Sequence, residues 1–310
     1  MVDANFIKKL PKADLHVHLD GSLRSSTFFE LADSQDIKVP EKLFVDRYDS
    51  LEEYLKGFEY TCAVMKGEDE IERIAYELCC DSFSNNVFYL EIRFGPQLLV
   101  HKDLNEIQIL EATTRGIRRA EDEWAALLKH NLCKAAIIVC AIRSSDSLSS
   151  RSLDVAKVAV QARDEFGLPI VGFDLAGGEK GFPVSAHKPA FNFAKEANLG
   201  ITIHAAEAES SHAIWEAIND GHAVRIGHGT NIDFSDTELL DFLKDNKIIL
   251  EVCLTSNLQT MPHLKSLKDH PATHFNGFKI PFALSTDNLL ISQTNLCQEI
   301  GLYVDATNAT

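Results

Sequence analysis

The stretch Ala13-Asp-Leu-His-Val-His18, continued by Leu19-Asp20-Gly21, contains the pattern from which the fold class is predicted. It is a short strand-like run that ends on an ionisable side chain. Seven further short runs follow along the chain, and most of them also end on a polar residue: Val87–Phe94, Lys134–Ile142, Pro169–Leu175, Leu199–His204, Ala223–His228, Lys247–Leu254 and Ile280–Thr286. Helical spacing of apolar residues, as at Ile71, Ile74 and Leu78, separates the runs. This alternation predicts a parallel sheet covered by helices.

Eight strand–helix units predict closure into one (βα)8 TIM-like barrel, with an open doubly wound sheet as the alternative. No Pro/Gly/Ser-rich linker and no shift in composition divides the chain, so residues 1–310 are predicted to form a single domain. A long stretch, residues 23–67, separates the first two strands and contains helical patches at Thr27–Ala32 and Leu51–Met65. We expect this helical insertion after strand 1 to form a lid over the mouth of the barrel.

Composition limits the classes of partner. The net charge of −16 repels nucleic acids on average, so we expect no nucleic-acid partner. No apolar run reaches the roughly 18 residues needed to span a bilayer, and no secretion signal precedes the first strand, so no membrane partner is expected. Seven cysteines, an odd number with no Cys-x-x-Cys pair, do not resemble a disulfide framework. The simplest interpretation is a cytoplasmic protein, whose oligomeric state the sequence does not reveal.

The first strand carries two histidines, His16 and His18, in alternate positions. Side chains at i and i+2 of a strand point to the same face, so the two imidazoles project together. Neutral nitrogen ligands suit a zinc-like divalent ion, which makes this pair half of a metal site. The alternative is a pair of solvated or core-capping histidines, and the His-x-His pattern alone does not decide between them.

Three later strand ends favour the metal site. His204 ends strand five, His228 ends strand six and Asp287 follows strand eight. The carboxyl ends of barrel strands meet at one rim, where catalytic groups gather. His16, His18, His204 and Asp287 would offer one metal three nitrogens and one oxygen. We expect the remaining eight histidines to lie at the surface, in loops or helices: His101, His130, His187, His212, His222, His263, His270 and His274.

The full set of motifs resembles the adenosine deaminase family of metal-dependent hydrolases over nearly the whole chain. The matching segments, in chain order, are Leu10-Pro-Lys-Ala-Asp-Leu, His16-x-His18-x-Asp20-Gly21, Asp174-Leu-Ala-Gly177, His204-x-x-Glu207, Gly227-His228-Gly229, Cys253-Leu-Thr-Ser-Asn257 and Ser285-Thr-Asp287. A single motif such as His-x-His is common among amidohydrolases. The whole set in this order is specific.

The resemblance implies one zinc ion per chain, held by His16, His18, His204 and Asp287, with a place left for water. Zinc lowers the pKa of such a water to roughly 7. The catalytic residues implied are Glu207, His228 and Asp287. Glu207 would give a proton to purine N1, which makes C6 electrophilic, and His228 would orient the water and help to deprotonate it.

Three further residues resemble substrate contacts of the family. Gly177 corresponds to the residue whose backbone meets purine N3, and Asp20 to the one that binds the ribose 5′-hydroxyl. Asn288 stands where many relatives carry an aspartate that holds purine N7. Because N7 accepts a hydrogen bond, the Asn288 amide is a workable donor at any pH.

Besides Asn288, two further departures from the family pattern affect the expected site. Ala206 stands where the family usually has glycine, and its methyl group would be costly if that residue takes a positive φ. Only 22 residues follow Asn288, so we expect the last strand to be less well covered by helices than the others.

The function that the resemblance implies is zinc-dependent hydrolysis of adenosine, and of 2′-deoxyadenosine, to inosine and ammonia in purine salvage. The partner would be a small purine nucleoside. Asp20 favours a nucleoside because free adenine would leave that carboxylate unpaired. Two alternatives remain open: deamination of a related aminopurine such as adenine or a modified adenosine or AMP, and a metal-binding homologue without catalysis.

Overall fold

The computed structural model describes residues 3–129, 132–144 and 150–309. Eight parallel strands form one sheet in chain order, β1 to β8: Lys12–His18, Val87–Phe94, Lys134–Arg143, Ile170–Gly177, Gly200–Ala205, Arg225–His228, Ile249–Val252 and Phe282–Leu284. A bridge between Val17 and Asp287 brings β1 back beside the end of β8. The predicted (βα)8 barrel is therefore confirmed, and the open doubly wound sheet is excluded because the first and last strands are neighbours.

Helices occupy most of the connections between the strands. The described residues contain twelve α-helices, α1 to α12: Ala4–Lys9, Ser25–Ser34, Leu51–Ala63, Glu68–Ser84, Glu106–Leu128, Ser152–Asp164, Lys188–Glu196, His212–Asn219, Thr237–Asp245, Leu254–Thr260, Ala272–Phe278 and Leu296–Thr307. Their apolar faces join the strands in one continuous hydrophobic cluster. Among these helices, none is both long enough and apolar enough to cross a bilayer.

The last two strands are shorter than predicted. The run Lys247–Leu254 forms a strand only over Ile249–Val252, because Lys247 takes a left-handed φ of 55° and Leu254 begins α10. Likewise Phe282–Leu284 is the only strand within the predicted run Ile280–Thr286. The residues of β8 are all half-buried, whereas those of the central strands are mostly buried.

The insertion after β1 contains α2 and α3, as the helical patches predicted. Ser50 caps α3 by accepting a hydrogen bond from the Glu53 amide, and the acidic first turn complements the helix dipole. Leu51 and Tyr54 of α3 pack on Ile291, which lies in the loop after β8, in a small cluster separate from the main core. The helix therefore lies against the carboxyl-end loops of the barrel, where a lid would lie.

Candidate active site

Five ionisable side chains converge at the carboxyl end of the barrel. His18 Nε2 lies 3.2 Å from His204 Nε2 and 3.4 Å from Asp287 Oδ1. His16 Nε2 lies 3.5 Å from the same Asp287 oxygen. The His228 ring stands 4.9 Å from the His16 ring, centroid to centroid. The structure thus brings together the four predicted ligands and His228 in one buried cluster.

The backbone of Asp287 also closes the barrel. Its amide donates to the His16 carbonyl at 2.8 Å, and its carbonyl accepts from the His18 amide at 2.7 Å. Asp287 takes a left-handed φ of 61°, which turns the chain at the end of β8. The seam between β8 and β1 is thus made by the same three residues whose side chains meet in the cluster.

Two buried carboxylates determine which ring nitrogen carries the proton in His16 and in His204. His16 Nδ1 lies 2.9 Å from Glu251 Oε2, and His204 Nδ1 lies 3.1 Å from Asp174 Oδ2. Because a carboxylate only accepts, each Nδ1 carries the proton and each Nε2 is left as an unprotonated donor atom. The buried His16 Nε2 has no hydrogen-bond partner within the described residues. This is the arrangement of a histidine prepared for a metal ion.

His18 and His228 both lie close to the other candidate metal ligands, so distances alone do not distinguish them. Ligand atoms of His16, His204, His228 and Asp287 lie within 4.8 Å of one another, and His18 Nε2 touches two of these four residues. A nitrogen-rich set with one carboxylate oxygen suits zinc better than the oxygen-preferring magnesium or calcium. The donor set therefore fits the implied metal.

Arg93 holds the two outer carboxylates in place. This arginine, on β2, is fully buried and contacts Asp174 at 2.9 Å and Glu251 at 2.8 Å. None of the three was given a role in the site from sequence, although Asp174 stands in one of the segments that match the family. A signal was present, because a charged residue inside an apolar strand is almost never buried without a partner.

Glu207 lies next to His228, and its environment favours the protonated form. Its Oε2 is 3.6 Å from His228 Nε2, and Thr260 Oγ1 donates to its other oxygen at 3.3 Å. Burial raises the pKa of Glu207 well above its ordinary value, and the charges of Asp287 and Glu179 add to this. A carboxylic acid that stays protonated near neutral pH can serve as a proton donor.

The turn that carries Glu207 is held by another buried carboxylate. Glu179 accepts four backbone N–H groups, from Ala206 at 2.6 Å, Glu207 at 3.0 Å, Ala208 at 2.6 Å and Glu209 at 2.9 Å. Our sequence interpretation did not single out Glu179, which stands two residues after Gly177. Its position close to the end of β4 was the available signal.

Ala206 has the positive φ for which its methyl group would be costly. Its φ is 55°, and the residue is fully buried. A left-handed residue with a Cβ is less stable by roughly 1–2 kcal/mol, which glycine avoids. Substituting Ala206→Gly should therefore raise the free energy of unfolding by about 0.5–1 kcal/mol, after allowing for the greater entropy of unfolded glycine.

Denaturant unfolding measures this effect as a higher midpoint at an unchanged slope. Ala205→Gly is the matched control, because Ala205 is the last residue of β5 and gains nothing from a left-handed conformation. That control should lose stability. A loss of stability in Ala206→Gly as well would show that the backbone at this turn is not strained.

A small cavity adjoins the histidine cluster. Its wall contains four residues of α3, namely Leu51, Tyr54, Leu55 and Phe58, and the predicted site residues His18, Gly177, His204, Glu207, His228, Asp287 and Asn288. Gly177 has a φ of 93°, and a Cβ there would lie 2.7 Å from the Arg143 carbonyl oxygen. Position 177 therefore requires glycine, both for its backbone conformation and for the lack of space for a Cβ. The four residues of α3 cover one side of the cavity.

Asn288 and Asp20 both have a buried oxygen without a hydrogen-bond partner within the described residues. The Asn288 amide nitrogen donates to Tyr54 Oη at 2.8 Å, which leaves its second N–H available. Asp20 Oδ1 lies 4.0 Å from His18 Nδ1. Burial raises the pKa of Asp20 to about 7. The structure thus places both predicted substrate contacts beside the cluster, although Asp20 does not line the cavity itself.

The expectation that the other histidines lie at the surface was wrong for two of them. His187 and His270 are buried. His187 Nδ1 bonds to Ser152 Oγ at 2.7 Å, and His270 packs between α10 and α11. Neither position follows an apolar period, so the sequence did not reveal their burial. His101, His212, His263 and His274 are exposed and His222 is half-buried, while His130 falls outside the described residues.

Comparison with known proteins places this geometry in context. The family model described as adenosine deaminase matches residues 11–309. The chain is 38% identical to the adenosine deaminase of Clostridium botulinum, over 94% of this chain and 87% of that protein. It is 34% identical to a probable adenosine deaminase of Dictyostelium discoideum, over 99% of this chain but only 39% of that longer protein. Among solved structures, an N6-methyl-AMP deaminase from Arabidopsis thaliana is 28% identical with a TM-score of 0.83, covering 99% of this chain and 89% of that one.

Proposed function

This chain belongs to the adenosine deaminase family, and on that premise we propose that it hydrolyses adenosine and 2′-deoxyadenosine to inosine and ammonia. The observation that carries the proposal is the distance of 3.6 Å between Glu207 Oε2 and His228 Nε2, beside the four residues that we propose as metal ligands. A protonated carboxyl group and a histidine at this separation can act at two adjacent atoms of one purine ring, N1 and C6.

We assign His16, His18, His204 and Asp287 to a single zinc ion. The protonated Nδ1 atoms of His16 and His204, held by outer carboxylates, support this assignment because they leave each Nε2 free for the metal. When bound, zinc lowers the pKa of a water molecule and so makes a nucleophile available near neutral pH.

Glu207 carries out the proton transfer in the proposed reaction. Its carboxyl group donates a proton to purine N1, which draws electrons from the N1–C6 bond and makes C6 open to attack by water. His228 orients that water, and both His228 and Asp287 line the cavity. The water adds to C6 and gives up both protons, one to the amino group and one to the Glu207 carboxylate, and the C6–N bond breaks so that ammonia leaves. Without the proton from Glu207 the purine ring remains a poor electrophile.

Three residues would position the substrate. Gly177 presents its backbone to purine N3, and Asn288 donates its second N–H to N7. The unpaired Asp20 oxygen accepts a hydrogen bond from the ribose 5′-hydroxyl. A buried acceptor without a partner costs roughly 1–3 kcal/mol, so binding a nucleoside recovers energy that free adenine cannot. A 5′-phosphate would be repelled by Asp20 when its carboxyl group is ionised, which the raised pKa of about 7 allows only above neutral pH.

A panel of substrates tests the proposal directly. The zinc-loaded protein is incubated with adenosine, 2′-deoxyadenosine, adenine, AMP and N6-methyl-AMP, and release of ammonia or methylamine is measured. We expect the two nucleosides to be the best substrates. The likeness to the Arabidopsis enzyme makes N6-methyl-AMP the second candidate, and preference for it would replace our assignment. No turnover of any compound would indicate a metal-binding homologue without catalysis.

The contact between Asn288 and N7 has its own test. In 7-deazaadenosine a carbon replaces N7, so the hydrogen bond is lost and a buried N–H is left unpaired. We expect affinity to fall by about tenfold to hundredfold, which corresponds to roughly 1–3 kcal/mol. Inhibition constants for adenosine analogues with and without N7 measure the difference. In Asn288→Leu the two analogues should bind alike, and a difference that persisted there would place the N7 contact elsewhere.

We also place the protein in a reducing compartment, the cytoplasm, with a role in purine salvage. All seven cysteines are free thiols, and four of them are buried. Such a set of unpaired thiols is typical of proteins kept reduced.

A further inference from the structure

His228 receives a hydrogen bond on the side away from the cluster. Its Nδ1 lies 3.1 Å from the side-chain nitrogen Nδ2 of Asn257, at the middle of α10. An amide nitrogen can only donate, so Nδ1 must be the unprotonated nitrogen of the ring. In a neutral imidazole the proton then lies on Nε2, the atom that faces Glu207. The tautomer of His228 therefore depends on which way the Asn257 amide is turned.

The neighbours of the Asn257 oxygen decide that orientation. Asn257 Oδ1 lies 3.2 Å from His270 Nε2 and 2.9 Å from Thr230 Oγ1. The hydroxyl of Thr230 can donate or accept, so it accommodates either orientation of the amide. His270 is different, because its other nitrogen, Nδ1, accepts the backbone N–H of Ala272 at 3.1 Å. His270 Nε2 must then carry a proton, and it requires an oxygen opposite it.

The hydrogen bonds form one directed chain. The Ala272 N–H donates to His270, His270 donates to Asn257, and Asn257 donates to His228. The chain starts at a backbone amide, which has only one role, so every later donor and acceptor is determined. His270, Asn257 and His228 are all buried, with at most 1% of each exposed, so water does not compete for these bonds.

We propose that Asn257 and His270 are positioning residues that fix His228 as the tautomer with its proton on Nε2. The inference rests on the proposed function, in which His228 faces the attacking water. In this tautomer Nε2 donates a hydrogen bond and has no lone pair with which to bind a metal. His228 therefore orients the water by donating to its oxygen and does not take a proton from it, which departs from the role in deprotonation that the family resemblance implies. It stays outside the ligand set although its ring lies within the cluster.

This tautomer also distinguishes His228 from the histidines assigned to the metal. His16 and His204 face carboxylates, which accept, so their protons lie on Nδ1 and their Nε2 atoms are free. His228 faces an amide donor, so the opposite nitrogen carries its proton. The partner on the far side of each ring thus decides whether that ring can bind metal.

The test uses nitrogen NMR of the full-length zinc-loaded protein labelled with 15N-histidine. Comparison with His228→Ala assigns the signals of His228. We expect Nδ1 of His228 to have the shift of an unprotonated nitrogen in the parent protein. In Asn257→Asp the new carboxylate accepts instead of donating, so Nδ1 should become protonated. We expect kcat to fall by about 100-fold or more, with a smaller change in KM and an unchanged zinc content.

Two variants at the Asn257 oxygen form a matched pair. His270→Leu removes the donor that fixes the amide, so both tautomers of His228 should be populated and kcat should fall about tenfold. Thr230→Val removes the hydroxyl group that bonds to the same oxygen and that can either donate or accept. This variant should keep the parent tautomer of His228 and change kcat by less than about threefold. Equal effects of the two variants on the tautomer would overturn the role of His270.

The parent spectrum alone can also refute the inference. A protonated Nδ1 on His228 in the parent protein overturns it, even if a variant fails to fold. Failure of the proposed function would look different. If the protein deaminates no purine but His228 has the expected tautomer, the hydrogen-bond chain stands and the reaction assignment fails. If deamination is normal and Asn257→Asp leaves the tautomer unchanged, the reaction stands and the inference fails.

Discussion

Glu207→Gln should lower kcat by about 10²–10⁴-fold while leaving the fold and the metal in place. Glutamine has the size of glutamate and can accept the hydrogen bond from Thr260, but its amide has no proton to give to purine N1. Steady-state kinetics on adenosine measure the loss, and elemental analysis checks that zinc is retained. A variant with the parent rate would show that the proton comes from another group.

The pH dependence of the parent adds a second check on Glu207. Because burial and the neighbouring charges raise its pKa, the acid form that donates the proton persists to neutral pH. Activity should be present below the raised pKa and should fall as the pH rises through it. Glu207→Gln should lack this alkaline fall.

Glu209→Gln is the matched control for the glutamine substitution. Glu209 lies two residues further along the same turn, and its side chain accepts the Gly181 amide at 3.1 Å. A glutamine oxygen can accept the same bond. We expect this variant to stay within about threefold of the parent kcat, so a large loss there would mean that any change in the turn disturbs catalysis.

His16→Ala and Asp287→Ala should abolish both metal binding and activity. Each substitution removes one of the four proposed ligands, and the remaining three hold zinc far more weakly. The zinc content of the purified proteins, measured by elemental analysis, should fall from about one zinc per chain to a small fraction of that. His16→Ala leaves Glu251 buried with one partner fewer, so we also expect it to lower the unfolding temperature of the protein.

His187→Ala separates a ligand effect from the loss of any buried histidine. His187 is buried and bonded to Ser152, away from the cluster. This variant should lose some stability and keep its zinc. If His16→Ala also kept one zinc per chain, His16 would not be a ligand, and the ligand set would have to be drawn from His18, His204, His228 and Asp287.

The fold class was accessible from sequence because hydrophobic patterning is a local property. Apolar runs of strand length that alternate with helical patterns have few solutions other than a parallel sheet between helices. The ends of the last strands were not accessible in this way. Lys247 and Asp287 turn the chain with left-handed backbone conformations, which follow from their neighbours in space and which their side chains do not encode.

The candidate site, like the fold, was accessible from sequence only in part. His16, His18, His204, His228 and Asp287 could be found from sequence, because barrel geometry brings strand ends together whatever the distance along the chain. The sequence by itself thus determined which groups meet and the reaction class they resemble. Only the tertiary structure decided the state of each group: the carboxylates behind His16 and His204, the amide behind His228 and the burial of Glu207. Protonation depends on the partner a ring or carboxyl group faces across the core, and the partners of these groups come from distant segments of the chain.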